Sequence, residues 1–546
     1  MSYPTMDQYN DVVQHPQNAF SDPALKTAKI ATNGMGLPIA LGGGFALTYT
    51  AKGQGGKYAV RCFHKEAKGL EARYLQVDKG LRAAGGSYFV GFEYQPAGVL
   101  VNGVRYPIVK MDWVEGDTLG TFLEDNYADP ARMVQLRAQF TELEKFLRGK
   151  SIAHGDLQNG NVLVKSGLKL IDYDGVYVPT LPQGQGAELG HKHFQHPKRS
   201  ASDFGPEMDR FSFIVLDLSL RAIAENSKLF TKYSNGENIL LTANDFMDPG
   251  SSAAFADLRA IPALARDTAH LASICASSVK SVPTLSEFLS GANIPPAVVT
   301  IRSPTEAKVV VQAAAYVGAY DVVDASNFAL VSQQVGNRIE LVGQVTKVHV
   351  GKTRYGKPFC FVFLLDQSKQ AVKLNIWSEG MAKLTPAPSE TWVGKWLSIQ
   401  GLVDPAWSSS KYGTSVSITI NGKSQLRTIT QSEARHRLSS PRVVTRTATS
   451  NRDILAGLGS SSTSASRATK APTHAKFPPK TTVSQSNNQA LLSALQRAPA
   501  ATPVNPAKPQ IRASHPTPSA NTQTESSWGW WVLAAIVFVI FLAMSG

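Results

Sequence analysis

The sequence predicts an α+β chain with two folded parts of different class: a mixed helix-and-strand unit over residues 36–291 and a small all-β unit over residues 337–430. Three observations predict it. Between His154 and Gly175, two short apolar runs (Val162–Val164 and Leu168–Ile171) are joined by Lys165-Ser166-Gly167, with helical periodicity before and after them. From Asn337 to Thr430 the pattern has period two almost throughout. Outside these spans the composition shifts to Pro, Ser, Thr and Ala without an apolar period. A length of 546 residues leaves room for two or three domains, and the 43% hydrophobic content is that of a globular protein.

Three cysteines, Cys62, Cys275 and Cys360, lie far apart with no CxxC pair. That argues against a disulfide framework or a structural zinc site and fits a reducing compartment. The N-terminus has no basic-then-apolar segment, so no signal peptide is expected. The net charge of +14 is uneven: 31 Lys+Arg stand against 33 Asp+Glu up to Gly336, 12 against 5 over residues 337–430, and 12 against 3 beyond. A nucleic-acid or anionic-membrane partner is therefore to be sought in the second half.

Residues 1–35 are polar and Pro/Asn-rich and read as a flexible lead-in. Pro38 to Phe63 reads as three strands, with Gly42, Gly43 and Gly44 at the first turn. Glycines there let backbone N–H groups approach a phosphate closely. Arg61 sits in the third strand, Tyr58–Phe63. Glu66 to Ala84 has helical spacing (Leu70, Tyr74, Val77, Leu81), as does Pro130 to Leu147 (Leu136, Phe140, Leu143, Leu147). Tyr106 to Gly116 reads as a strand followed by a connector.

His154-Gly155-Asp156-Leu157-Gln158-Asn159-Gly160-Asn161 opens the central stretch, and Asp172-Tyr173-Asp174-Gly175 closes it. The stretch resembles the catalytic and metal loops of the protein-kinase superfamily, HRDLKPEN followed by DFG. The order of the remaining parts agrees. Ile39 to Tyr49 looks like the glycine-rich loop, with Ala46 at its third glycine. Asp209-Arg210-Phe211-Ser212 resembles the start of the buried helix after the activation segment. Gly190-His191-Lys192-His193-Phe194-Gln195-His196-Pro197 is similar to the end of that segment, with Lys198 where a glutamate would stand. The wording resembles that of a divergent bacterial kinase-like family, and the resemblance covers about Pro38 to Gly291.

The resemblance implies ATP and Mg2+ as cofactors. Asp156 would be the catalytic base, and Asn161 and Asp172 the metal ligands. Arg61 would stand at the lysine position and contact phosphate, with Glu71 as its helix partner; Lys110 and Lys52 are the alternative cations. Met111 would be the gatekeeper and Asp112 to Val114 the adenine-facing backbone. Asp209 would anchor the catalytic-loop backbone. His191, His193 and His196 could suggest zinc, but no cysteine or carboxylate lies among them.

Residues 292–336 read as a linker. The β-patterned span then offers strands at Ile339–Val348, Pro358–Leu364, Val372–Trp377, Trp396–Val403 and Ser415–Ile420, with a helix near Ser378–Leu384. Five strands with a helix before the fourth resemble an OB-fold, of the nucleic-acid-binding type. Lys347, Lys352, Arg354, Lys357 and Lys373, with Tyr355, Phe359, Phe361, Trp377 and Trp407, have the chemistry to follow a phosphate backbone and stack on bases. The competing expectation is that the phenylalanines fill the barrel.

Residues 431–527 read as a disordered basic Ser/Thr/Pro-rich tether. Trp528 to Met544 is apolar on all faces with three tryptophans at one end. At ~1.5 Å per residue its 17 positions span about 26 Å, which predicts a single transmembrane anchor with the folded domains cytoplasmic. The expected function is that of a membrane-anchored Ser/Thr protein kinase-like enzyme. The departures at Arg61, Ala46 and Lys198 keep open a pseudokinase scaffold or nucleotide sensor, and the basic barrel keeps open a membrane-tethered nucleic-acid binder.

Overall fold

The computed structural model describes residues 3–33, 36–42, 46–65, 69–186, 188–297, 299–302, 316–353, 356–367 and 369–439. All of them belong to one unit, Met1–Thr463. The tether beyond residue 439 and the anchor at 528–544 lie outside the described residues. Among the described residues no helix is long and apolar enough to cross a membrane.

The chain opens with three short helices, α1 (Met6–Val13), α2 (Pro16–Ala19) and α3 (Pro23–Lys26), and strand β1 (Lys29–Ile30). This corrects the expected flexible lead-in. Tyr9, Val13, Phe20 and Leu25 are buried against the back of the first sheet, and the Tyr9 hydroxyl donates to the Phe63 carbonyl at 2.6 Å. The apolar spacing was present, diluted by polar residues on the outer faces.

The sheet contains β1 with β2 (Ala40–Gly42), β3 (Ala46–Gly53), β4 (Gly56–Phe63), β5 (Phe92–Val101) and β6 (Val104–Asp112). Its order is β1-β3-β4-β6-β5, with β2 on β3. Side-chain alternation on β4 decides what faces where. Val60 and Cys62 point into the cluster under the N-terminal helices, which leaves Arg61 on the other face. Helix α4 (Leu70–Ala84) packs across that face with Tyr74, Val77 and Leu81 buried.

The second lobe is mainly helical. Strand β7 (Asp117–Thr118) leads into α5 (Leu119–Asn126) and α6 (Pro130–Gly149). Asp129 caps α6 by accepting from the Ala131 and Arg132 N–H groups, and Pro130 occupies its first turn; such a cap stabilises a helix by about 1 kcal/mol. Strands β8 (Val162–Val164) and β9 (Leu168–Leu170) form a hairpin beside β7. Helix α7 (Arg210–Glu225) is buried on nearly every face. Helices α8 (Lys228–Tyr233), α9 (Ala243–Met247), α10 (Ala253–Arg259), α11 (Ala265–Ala276) and α12 (Leu285–Ser290) complete the lobe.

The all-β unit begins earlier than expected. Strand β10 (Val322–Asp324) pairs in parallel with β11 (Arg338–Gln344), and helix α13 (Phe328–Ser332) packs on the same core. Part of the expected linker is therefore barrel. The chain continues through β12 (Lys347–Lys352), β13 (Pro358–Gln367), β14 (Gln370–Ile376), α14 (Ser378–Lys383), β15 (Trp396–Leu402), β16 (Trp407–Ser409), β17 (Gly413–Ile420) and β18 (Leu426–Ile429). One sheet is β10-β11-β15-β18 and the other β12-β13-β14-β17-β16. β14 and β17 are parallel, and a Val403–Ile418 bridge joins the end of β15 to β17. The final described helix, α15 (Gln431–Ser439), buries Ala434 and Arg437, so the expected tether does not start at residue 431.

Candidate active site

Between the two lobes lies a cleft of about 1370 Å³, with Arg61, Asp156, Asn161, Asp172, Asp174 and Glu188 on its walls. The loop from His154 to Asn161 is held from below. Asp209 accepts from the His154 N–H at 2.5 Å and from the Gly155 N–H at 2.8 Å, the anchoring role expected of it. Burial pushes the Asp209 carboxyl above its ordinary value. Gly155 has φ +81°, and a Cβ there would come within 2.4 Å of the Gly175 carbonyl oxygen, so the loop demands glycine.

That loop delivers Asp156 and Asn161 as a pair. The Asn161 amide donates to Asp156 Oδ2 at 2.8 Å and to the Asp156 carbonyl at 3.0 Å. Asp156 Oδ1 accepts the His191 N–H at 2.6 Å. The β8–β9 hairpin then carries the chain to Asp172, which adopts φ +68°. Arg61 reaches it from β4: Nη1 lies 2.5 Å from Asp172 Oδ1, and Nη2 lies 2.5 Å from Asp174 Oδ2. Burial raises the Asp172 carboxyl, but the Arg61 guanidinium outweighs it and holds the group below the usual aspartate value. Asp174 moves the other way, because burial and the Asp172 charge outweigh Arg61.

The expected Arg61–Glu71 pair does not form. Glu71 is exposed in the first turn of α4. The helix instead contributes its next face: the Tyr74 hydroxyl donates to Asp174 Oδ1, and Arg73 donates to the carbonyls of Asp174 at 2.6 Å and Val176 at 2.8 Å. Asp174 therefore does for Arg61 what a helix glutamate was expected to do. Lys110 and Lys52 are not substitutes. Lys110 pairs with Asp22 at 2.5 Å and Glu93 at 3.1 Å, and Lys52 is exposed on β3.

Tyr173, between the two aspartates, is 1% exposed. Its hydroxyl accepts the Val90 N–H at 2.6 Å and meets the Leu170 carbonyl at 2.8 Å. Met111 is buried at the end of β6 and Asp112 is exposed. The Asp112 and Trp113 N–H groups are used by the Gly91 and Lys57 carbonyls. Met111, Asp112 and Val114 are not among the cleft-lining residues. Gly42 does line the cleft, whereas Gly43 and Gly44 lie outside the described residues.

The three histidines hold structure. His191 Nε2 meets Glu237 at 3.2 Å, His193 Nδ1 accepts the Ala243 N–H at 3.0 Å, and His196 Nε2 meets the Ile274 carbonyl at 3.0 Å. Lys198 donates to the Ala276 carbonyl. Among the described residues no group of three or more His, Cys, Asp or Glu side chains could hold a metal ion. Among the cleft residues that escaped the sequence reading is Glu188, beside Asp156, Asp172 and Asp174. Burial, with the charges of Asp174, Asp172 and Asp156, pushes its carboxyl well above the ordinary value. Its only sequence signal is its place two residues before Gly190.

No family model and no curated protein matches this chain. Among solved structures, the crystal structure of the Mycobacterium tuberculosis PknI kinase domain is similar at 15% identity over 48% of this chain and 96% of that one, with a TM-score of 0.31.

Proposed function

We propose that residues 36–291 form a protein-kinase-like phosphotransferase that moves the γ-phosphoryl group of ATP to a protein Ser/Thr hydroxyl. One observation carries the reading: Asp156, Asn161 and Asp172 line one interlobe cleft together with a fixed cation, Arg61, which is paired to Asp172. Asp156 would orient the acceptor hydroxyl and take its proton. Arg61 would shift part of its charge from Asp172 to the bound phosphates, while Asp174 keeps it in place. Asn161 and Asp172 would hold magnesium, which neutralises charge on the phosphates when bound. Two oxygen donors suffice, because magnesium keeps several waters and takes the rest of its shell from phosphates.

Incubation of residues 1–527 with radiolabelled ATP and magnesium tests this. Incorporation that Asp156→Ala and Asp172→Ala both abolish is the expected result; no incorporation by the parent removes the transferase reading. A nucleotide-sensing pseudokinase is the second reading, favoured by Arg61 bridging Asp172 and Asp174. It predicts Mg-ATP-dependent thermal stabilisation, lost in Asp172→Ala, without incorporation.

For the barrel we propose an OB-type single-stranded nucleic-acid binder. The two-sheet order, with parallel β14 and β17 and a Val403–Ile418 bridge between the sheets, supports the fold. On β13, Cys360, Val362 and Leu364 are the residues in the core. Phe359 and Phe361 cluster instead with His349 and Trp377. Lys373 Nζ lies 4.2 Å from the Phe361 ring centroid and 5.9 Å from that of Trp407. Lys347 is paired with Asp366 and Lys357 with Glu379, while Arg354 and Tyr355 lie outside the described residues. A salt-dependent mobility shift with single-stranded DNA or RNA is expected, and its absence at low salt overturns the proposal. The C-terminal anchor, with the folded parts cytoplasmic, is likewise proposed; recovery of the full chain in the soluble fraction without detergent would refute it.

A further inference from the structure

The barrel touches both lobes and contributes Asn337, Arg338, Ser424 and Gln425 to the lining of the cleft. On the sheet lobe, the end of β2 lies directly on β15: a Cβ at Gly42 would come within 2.3 Å of Leu402 Cδ1. Leu402 joins the cluster beneath the N-terminal helices, and Lys65 Nζ reaches Asn337 at 3.4 Å. On the helical lobe the contact centres on Glu237, which is 8% exposed. Arg338 Nη2 donates to Glu237 Oε1 at 2.8 Å, and the Tyr320 hydroxyl donates to Glu237 Oε2 at 2.9 Å. Arg338, with His191 and then Tyr320, holds Glu237 down to a pKa of about 2 against the effect of burial.

The chain entering the barrel, residues 316–321, is tied at both ends. The Tyr316 hydroxyl donates to the barrel carboxylate Glu340 at 2.8 Å. One residue on, the Val317 N–H donates to Asn244 of the helical lobe at 3.1 Å. Tyr320 closes the run on Glu237, with its ring 6.0 Å from that of His191. His191 is the residue whose N–H occupies Asp156 Oδ1. Val317, Tyr320, Asp321 and Arg338 line the same cleft as Asp156 and Asn161. They do so from the barrel and the chain that enters it, tied to the helical lobe through Asn244 and Glu237.

We propose that residues 316–321 are a strap across the acceptor side of the cleft, locked by the Glu237–Tyr320–Arg338 cluster, and that the barrel must shift before a protein acceptor can reach Asp156. The idea rests on the phosphotransferase reading for its consequence, not for its geometry. A protein acceptor needs an approach to the base, and here residues 317–321 and Arg338 border that approach.

The test uses the full chain in detergent, with hydrogen–deuterium exchange and phosphoryl transfer to an unstructured Ser/Thr-rich protein measured in parallel. Arg338→Glu places two carboxylates together at the lock. Exchange over 316–321 and 188–196 should speed up by about tenfold or more, because a partly buried charge is left with a like neighbour. Transfer should rise several-fold. The swapped pair Glu237→Lys with Arg338→Glu should restore both to parental values, which a merely unfolded variant would not do. Unchanged exchange in Arg338→Glu overturns the lock. Faster exchange with reduced transfer overturns the stopper, since the strap would then be part of the acceptor site. Faster exchange with no transfer from any form, the parent included, supports the strap and removes the transferase reading instead.

Discussion

Two buried arginines, one in the cleft and one on the barrel, meet carboxylates in nearly the same way. Arg61 is 7% exposed and bridges Asp172 and Asp174. Arg437 is 6% exposed and bridges Glu340, at 2.6 Å, and Glu433. The difference lies in the carboxylates. Glu340 is fully buried, and its oxygens also accept from Ser398 and Tyr316, so nothing can enter that cluster. The Asp172 side chain is 35% exposed and opens on the cleft at a backbone angle few residues adopt. A pair closed on all sides holds the fold together, whereas a pair with one open member can exchange its partner for a ligand.

The comparison breaks if stability and activity do not separate along these lines. Glu340→Ala leaves the buried Arg437 with only the half-exposed Glu433 and strands the Ser398 and Tyr316 hydroxyls, and should cost about 3–5 kcal/mol in urea unfolding. Asp174→Asn removes the inner partner of Arg61 and should cost about 1–3 kcal/mol, with the KM for ATP rising more than kcat falls. Asp172→Asn should cost less than about 1 kcal/mol, since Asp174 still pairs with Arg61, yet transfer should fall to background. A large stability loss in Asp172→Asn would make the cleft pair structural like its barrel counterpart.

A carboxylate without an arginine sharpens the contrast. Asp404 accepts from Ser417 at 3.1 Å and Thr419 at 2.8 Å, and burial pushes its pKa up to about 6. A raised folded value means its contribution is complete below the unfolded value near 3.8 and is lost as the pH rises through about 6. Unfolding measured from pH 4 to 7 should show this slope, and Asp404→Asn should flatten it. Asp172 has the opposite sign: held low by Arg61, it stabilises above the ordinary aspartate range and stops doing so as the pH falls below it. The smallest effect belongs to Glu71→Gln, which should stay within about 0.5 kcal/mol with unchanged kinetics.

Local signals in the sequence predicted more than pairings did. The hairpin between Val162 and Leu170, helix α6 and the strands at 358–367, 370–376, 396–402 and 413–420 follow from apolar period and turn residues, so their ranges agree closely with expectation; the expected strand Ile339–Val348 instead divides into β11 and β12, and the short strands β10, β16 and β18 were not foreseen. The convergence of Asp156, Asn161 and Asp172 follows from the same hairpin, which fixes their separation. The Arg61 partner was not readable, because a helix presents several faces and only tertiary packing decides whether Glu71 or the Arg73–Tyr74 edge meets the loop. The N-terminal helices were missed because their buried residues are few and widely spaced. The strap escaped for a different reason: Tyr316 and Tyr320 find Glu340 and Glu237 across long stretches of chain, and no local pattern encodes such a meeting.

Tyr173 has a consequence for chemical intervention. Its ring cannot leave the pocket without abandoning the Val90 N–H and the Leu170 carbonyl, each buried partner costing about 1–3 kcal/mol when unpaired. A small molecule that wedges itself into the space behind the loop must overcome that first, at a loss of about tenfold in affinity for every 1.4 kcal/mol. Small molecules designed for this cleft should therefore fit the latched loop and engage Arg61.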